Sequence, residues 1–187
     1  ISMRQDHKHN GARPWRGVKR DQWEGGHRVP FIARWPDRIK PGSTSSQTIC
    51  LTDLMATAAA ITGAKLPNNV AEDSCNILPA LLGENKPIRE YTLHQTMSLA
   101  LAIRKGNWKY LDHKGSGGNN YGREGRWGMK QYALPEKAPK ALGQLYNLKT
   151  DPGETTNLYF EKSEMVEELK AKLEEAKKTG RSAPNRN

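Results

Sequence analysis

Arg16 to Pro36 reads RGVKRDQWEGGHRVPFIARWP. A single lysine, Lys19, sits among arginines between Gly17 and the Gly25-Gly26 pair, and the chain then runs directly into Val29, Phe31, Ala33 and Trp35, with Ile32 on the opposite side. Apolar alternation of period two, closed by a proline that cannot donate to a ladder, predicts a strand over 28–36. Apolar side chains on both of its sides predict cover on both faces, and hence layers above and below it. The flanking glycines permit tight turns that hold one ammonium in place. A lysine so fixed is a point charge suited to a sulfate or phosphate oxygen.

Upstream, residues 1–28 are polar, basic and glycine-rich, which predicts an ordered loop. Asp6, His7 and His9 share no helical or strand face that would hold them on one ion, so no metal ligand is assigned in this chain. Downstream, DRIKPGSTSSQT is a turn-rich connector. TDLMATAAAITG predicts a helix with Thr52 as N-cap, Asp53 at the positive end, an apolar spacing of Leu54, Met55, Ala58 and Ile61, and Gly63 as the stop. ILPALLG predicts a short helix from near Pro79 to Gly83.

The pattern changes after ENKPIRE. YTLHQ, LALAIRKGNWKYLD and QLYNLKTDPGE predict short antiparallel strands, the middle segment folding into a hairpin at Lys105-Gly106-Asn107. The stretch from His113 to Gly143 is too polar and glycine-rich to pack and is expected as a surface insertion. Glu164 to Lys178 predicts an amphipathic helix: Met165, Val166, Leu169, Leu173 and Ala176 share one face, and Gly180 ends it. The expected domains are therefore an incomplete α/β part over 1–88, a small α+β part over 89–180, and a disordered tail over 181–187.

The composition of 187 residues, 35% apolar and a net charge of +10, implies attraction to anions centred on the first forty residues. Two cysteines exclude a disulfide-dense scaffold and a four-cysteine zinc site. Cys50 and Cys75 read as buried free thiols, with pairing left open. No apolar run reaches membrane-spanning length. Trp15, Trp23 and Trp127 lie on separate loops and assemble no stacking platform, which argues against a nucleic-acid partner. No G-x-S-x-G turn announces a serine nucleophile. Glu24 is expected to tie down Arg28 or Arg20.

Five blocks in order resemble the C-terminal portion of the type I sulfatases, arylsulfatase-like members of the alkaline-phosphatase-like superfamily: RGVKRDQWEGGHRVPFIARWPDRIKPG, TDLMATAAAITGAKLP, EDSCNILPALLG, AIRKGNWKYL and LYNLKTDPGETTNL. The resemblance implies an α/β fold, the C-terminal part of an alkaline-phosphatase-like sandwich, followed by a small antiparallel sheet packed by a C-terminal helix. It implies hydrolysis of sulfate esters, on a sulfated small molecule or carbohydrate, in a periplasmic or secreted enzyme without membrane or nucleic-acid partners. Lys19 takes by position the role of the catalytic lysine that contacts the sulfate; His94, His9, Asn10 and Arg13 are the candidates for substrate binding.

The family's formylglycine nucleophile and calcium are implied too, yet no C/S-x-P-x-R motif occurs here. No apolar strand precedes Asp6-His7. Both groups are thus expected to be supplied from outside the chain, which by itself would be inactive. A phosphate or phosphonate ester hydrolase of the same superfamily, and a non-catalytic basic module binding sulfated polymers, are the alternatives.

Overall fold

The computed structural model describes residue 4 and residues 6–125 and 128–186, so that Trp127 and Asn187 lie outside the described residues. The chain divides into two compact units: Ile1–Val29 with Leu93–Leu173, and Pro30–Thr92 with Glu174–Asn187. The first 29 residues therefore belong with the sheet, in place of the division expected at 88/89.

The sheet has four strands in sequential order, β1 (Thr92–Gln95), β2 (Leu101–Lys105), β3 (Trp108–Leu111) and β4 (Gln144–Asn147). β2–β3 and β3–β4 are antiparallel. Lys105 pairs with Trp108 across a two-residue turn, and Gly106 there takes φ 56°, a conformation that glycine adopts without strain. Register sorts the side chains. Ile103, Tyr110 and Leu145 form one row with alternate residues on the same face, and Lys105 on that face reaches Glu168 of helix α3 (Ser163–Thr179) at 2.6 Å. Val166, Leu169 and Leu173 are its buried stripe. On the opposite face Ala102, Leu111, Tyr146 and Leu148 pack with Trp23 in a cluster to which Tyr121 adds its ring. That face also carries Arg104 and Lys109, paired in register.

In the other unit, a 3-10 turn at Leu51–Asp53 leads into α1 (Leu54–Thr62), and α2 (Leu78–Leu81) follows. The cap of α1 is Asp53 and not Thr52. One carboxylate oxygen accepts the amide of Cys50 at 2.7 Å, and the other accepts the amide of Cys75 at 2.9 Å and an ion pair from Arg89. Ser74 Oγ accepts the amide of Ala56, and Thr57 Oγ1 accepts that of Ile77, so the 74–77 segment lies along the first turn of the helix. Gly63 at φ 73° ends the helix.

Two sequence expectations are overturned in this half of the chain. Residues 29–36 form no strand, and Ile32 is 92% exposed. Alternation makes a strand only where a neighbouring backbone supplies a ladder, and none among the described residues does so; Pro30 and Pro36 subtract two donors besides. The tail expected to be disordered is bonded through residue 186. Arg186 donates to the carbonyls of Val70 at 2.7 Å and Ala71 at 2.6 Å, and Ser182 donates to Asp73 from both its amide and its hydroxyl. Among the described residues no helix is long and apolar enough to cross a membrane.

Asp53→Ala is expected to lower unfolding free energy by about 3 kcal/mol or more, because two buried amides and a guanidinium lose one acceptor. Denaturant titration measures it; Leu51→Ala, at an exposed neighbour, is the control that stays near the parent value.

Candidate functional site

The Lys19 turn begins at Arg16, whose guanidinium lies 3.5 Å over the Trp23 ring and donates to Tyr146 Oη at 3.2 Å and to the Glu154 carbonyl at 2.8 Å. Gly17 follows at φ 89°, and a Cβ there would sit 3.0 Å from that of Asp21. A larger residue would therefore be both strained and crowded. Asp21 closes the turn. Its Oδ2 accepts the Val18 amide at 2.9 Å and the Tyr121 hydroxyl at 2.6 Å, while its Oδ1 accepts the amide and side-chain nitrogens of Asn119.

Asn119 also donates to the carbonyl of Lys19 at 2.9 Å. At Gly118 a Cβ would lie 2.1 Å from the Arg20 carbonyl, so the two turns touch backbone to backbone. Burial, and then the bond to Asp21, push the Tyr121 phenol far above its ordinary value, which keeps it a donor. Between these anchors the Lys19 side chain is exposed. The result is an exposed ammonium on an immobilised backbone.

Gln22 joins a third segment to the first two. Its amide donates to Ser116, and its side chain donates to both the His94 and Ala100 carbonyls, at 3.0 and 2.6 Å, clamping the hairpin of β1 and β2. Ser98 at the hairpin tip donates to Gly117 at 2.7 Å. The 113–143 stretch, expected as unpacked surface, thus holds the lysine turn, and Met129 within it is fully buried. Polar residues pack here because their hydrogen bonds are satisfied by other loops.

Behind the turn lies a buried ionic cluster. Lys109 Nζ, fully enclosed, donates to the Gln22 carbonyl, to Glu24 Oε1 at 3.0 Å and to His27 Nε2 at 2.8 Å, and lies 3.6 Å from Glu154 Oε1. An ammonium has three protons, and these three partners use them. His27 Nε2 must then accept, so its ring is neutral. Glu24 also receives Arg28 at 2.7 Å and Arg104 at 2.9 Å. Burial alone would raise its pKa, but the positive charges of Lys109 and Arg104 outweigh burial and hold the carboxyl well below its usual range.

Glu154 differs. One oxygen accepts the Glu24 amide at 2.7 Å, the other has no hydrogen-bond partner, and burial pushes the carboxyl up to about 7 against the pull of Lys109. Burial and then Lys109 lower His27 to about 3.

Of the residues singled out in the sequence, only Lys19 occupies such a pinned and exposed position. His94 stacks on His27 with ring centroids 3.8 Å apart, its Nδ1 is buried without a partner, and burial, followed by the charge of Lys109, holds its pKa well down. His9 and Arg13 are exposed, and Asn10 is half-buried with its carbonyl accepting the Arg13 amide. No hydrogen bond or ion pair among the described residues joins these four to Lys19. Glu24 pairs with Arg28 as expected, but Lys109, Glu154, Asn119 and Tyr121 were missed. The alternation of NWKYL offered the only signal, since it sets Lys109 on the face opposite Trp108 and Tyr110. Among the described residues no three His, Cys, Asp or Glu side chains come together as a metal site.

No family model matches the chain. Sequence relatives do. An N-acetylgalactosamine-6-O-sulfatase of Bacteroides thetaiotaomicron is 34% identical over 90% of this chain and 31% of its own length, and an arylsulfatase of Hemicentrotus pulcherrimus is 30% identical over 85% of this chain and 32% of its own. A solved structure reported under the metabolism of multiple glycosaminoglycans by Bacteroides thetaiotaomicron superposes with a TM-score of 0.71 at 33% identity, over 88% of this chain and 32% of that one. A sulfatase from Pseudoalteromonas sp. shares the fold with a TM-score of 0.66 at 24% identity, over 93% of this chain and 34% of its own. The chain belongs to the sulfatase family, and it spans about a third of the length of the relatives it matches.

The cluster generates two predictions. Lys109→Met leaves two buried carboxylates without their ammonium and is expected to cost about 3–5 kcal/mol in denaturant unfolding. Glu154 binds its proton more tightly when folded, so its contribution is complete below the ordinary value of 4.5 and is lost as pH rises through about 7. His27 runs the other way, contributing fully above its ordinary 6.5 and losing that contribution as pH falls toward about 3. Glu154→Gln is therefore expected to abolish the decline in melting temperature between pH 4.5 and 7 while leaving the acid-side loss in place.

Proposed function

We propose that this chain is the C-terminal part of an enzyme hydrolysing the sulfate ester of a sulfated carbohydrate, with Lys19 as its sulfate-binding cation. The observation that carries the reading is the Lys19 turn, where an exposed ammonium stands on a backbone tied down by Asp21, Asn119 and a close glycine contact. A flexible loop would leave the charge to be ordered during the reaction. A pinned one presents it already in place, the condition under which a fixed cation stabilises charge developing on a sulfate oxygen.

The names of the relatives support sulfate as the anion, and those directed at N-acetylgalactosamine 6-sulfate and at ulvan support a sulfated sugar as the substrate class. The nucleophile, a formylglycine, and a calcium ion rest on the family resemblance and are assigned to parts of the enzyme beyond this chain. This chain's own contribution is charge and position: Lys19 meets the sulfate, Asp21 and Asn119 hold the turn, and the Lys109 cluster holds Glu24 behind it. His9, Asn10, Arg13 and His94 are assigned to the surroundings of the substrate, which acts outside the cell or in the periplasm.

In the full-length enzyme carrying this chain, Lys19→Ala is expected to lower kcat/KM on a sulfated sugar by roughly 100-fold or more, with an unchanged melting temperature. Asp21→Asn is expected to lower it less and to destabilise as well. Unchanged turnover in Lys19→Ala would overturn the role of Lys19, and absence of sulfate release by the parent enzyme would overturn the activity.

A further inference from the structure

Cys50 and Cys75 are both free thiols, Cys50 half-buried at the start of the 3-10 turn and Cys75 buried on the segment that runs along α1. Their backbones meet on one side chain. The Cys50 amide donates to Asp53 Oδ2 at 2.7 Å and the Cys75 amide to Oδ1 at 2.9 Å, and two amides on a single carboxylate lie within a few ångströms of each other. A disulfide between the two residues requires their Cα atoms to lie roughly 4.4–6.8 Å apart.

The approach is enforced on both sides. The Asp53 amide donates to the Cys50 carbonyl at 3.0 Å, which ties Cys50 to the turn that starts the helix, and Ser74 and Ile77 are bonded to Ala56 and Thr57 on either side of Cys75. Arg89 completes the hub on Asp53. Each thiol acts on the other's ionisation through space, alongside Asp53 and Arg89.

We propose that Cys50 and Cys75 are a disulfide-forming pair that locks the N-terminus of α1 to the 74–77 segment. With a small disulfide as oxidant, the Cys50 thiolate attacks one sulfur and expels the other half as a thiol. Cys75 then loses its proton and attacks the Cys50 sulfur, expelling the second half. Two protein thiols lose two electrons and two protons, and the oxidant becomes two thiols. Burial, opposed by Arg89 and reinforced by Asp53, raises both thiols above their ordinary value, so the first attack is slow at neutral pH and quickens with added base. The bond closes the chain between 50 and 75 and would persist in an oxidising compartment.

The test uses oxidised glutathione on the full-length protein at pH 8.5, followed by acid quench, denaturation, alkylation and trypsin. Lys65 separates the two cysteines into different peptides. The expected product is the 50–75 linked peptide, absent after reduction, absent from Cys50→Ser and Cys75→Ser, and accompanied by a rise in melting temperature of roughly 5 °C or more. Alkylation of both cysteines in oxidised parent protein would overturn the proposal, and so would a glutathione adduct that persists on Cys50 with Cys75 alkylated. The readout is independent of sulfatase activity.

Discussion

The ammonium of Lys109 is the charge around which this structure is organised. It is wholly buried, it lies between Glu24 and Glu154, and its three protons go to three different acceptors contributed by one short segment. Taking such a group out of water is costly, and only close, well-directed partners offset that cost. The geometry leaves little freedom: Gln22, Glu24 and His27 must sit where strand β3 presents the lysine. A loop with no regular structure beyond one 3-10 turn is thereby held against a sheet as firmly as a strand would be.

The rest of the site inherits that rigidity. Trp23 packs on Ala102, Leu111 and Tyr146 between two residues of the cluster, and Arg16 lies over its ring while reaching the Glu154 carbonyl. Asp21 and Gln22 then fasten two further loops, so the turn bearing Lys19 is constrained from both flanks and from above. Charge placed at the end of this chain of contacts is positioned by the fold and not by its own side chain. A charge carried on a loop needs such a foundation, because loops left to themselves do not hold geometry.

The elements that depend on neighbours in sequence were legible. Helices α1 and α3 follow from apolar spacing and their glycine stops, and the hairpin at Gly106-Asn107 follows from two alternating runs around a turn. Lys19 stood out because glycines on either side mark a tight turn. The failures share a cause. Residues 29–36 alternate as a strand does but find no ladder, residues 113–143 look unpackable yet bury Met129, and the tail is bonded to a loop more than a hundred positions away.

The sequence by itself determined the local conformations and the family, since periodicity, capping and motif order act over a few residues at a time. Tertiary structure alone decided the ionic cluster, the three-loop clamp on Lys19 and the sharing of the Asp53 carboxylate by the Cys50 and Cys75 amides. Burial and Coulomb energy depend on distances between segments far apart in the chain, and no pattern along it states them.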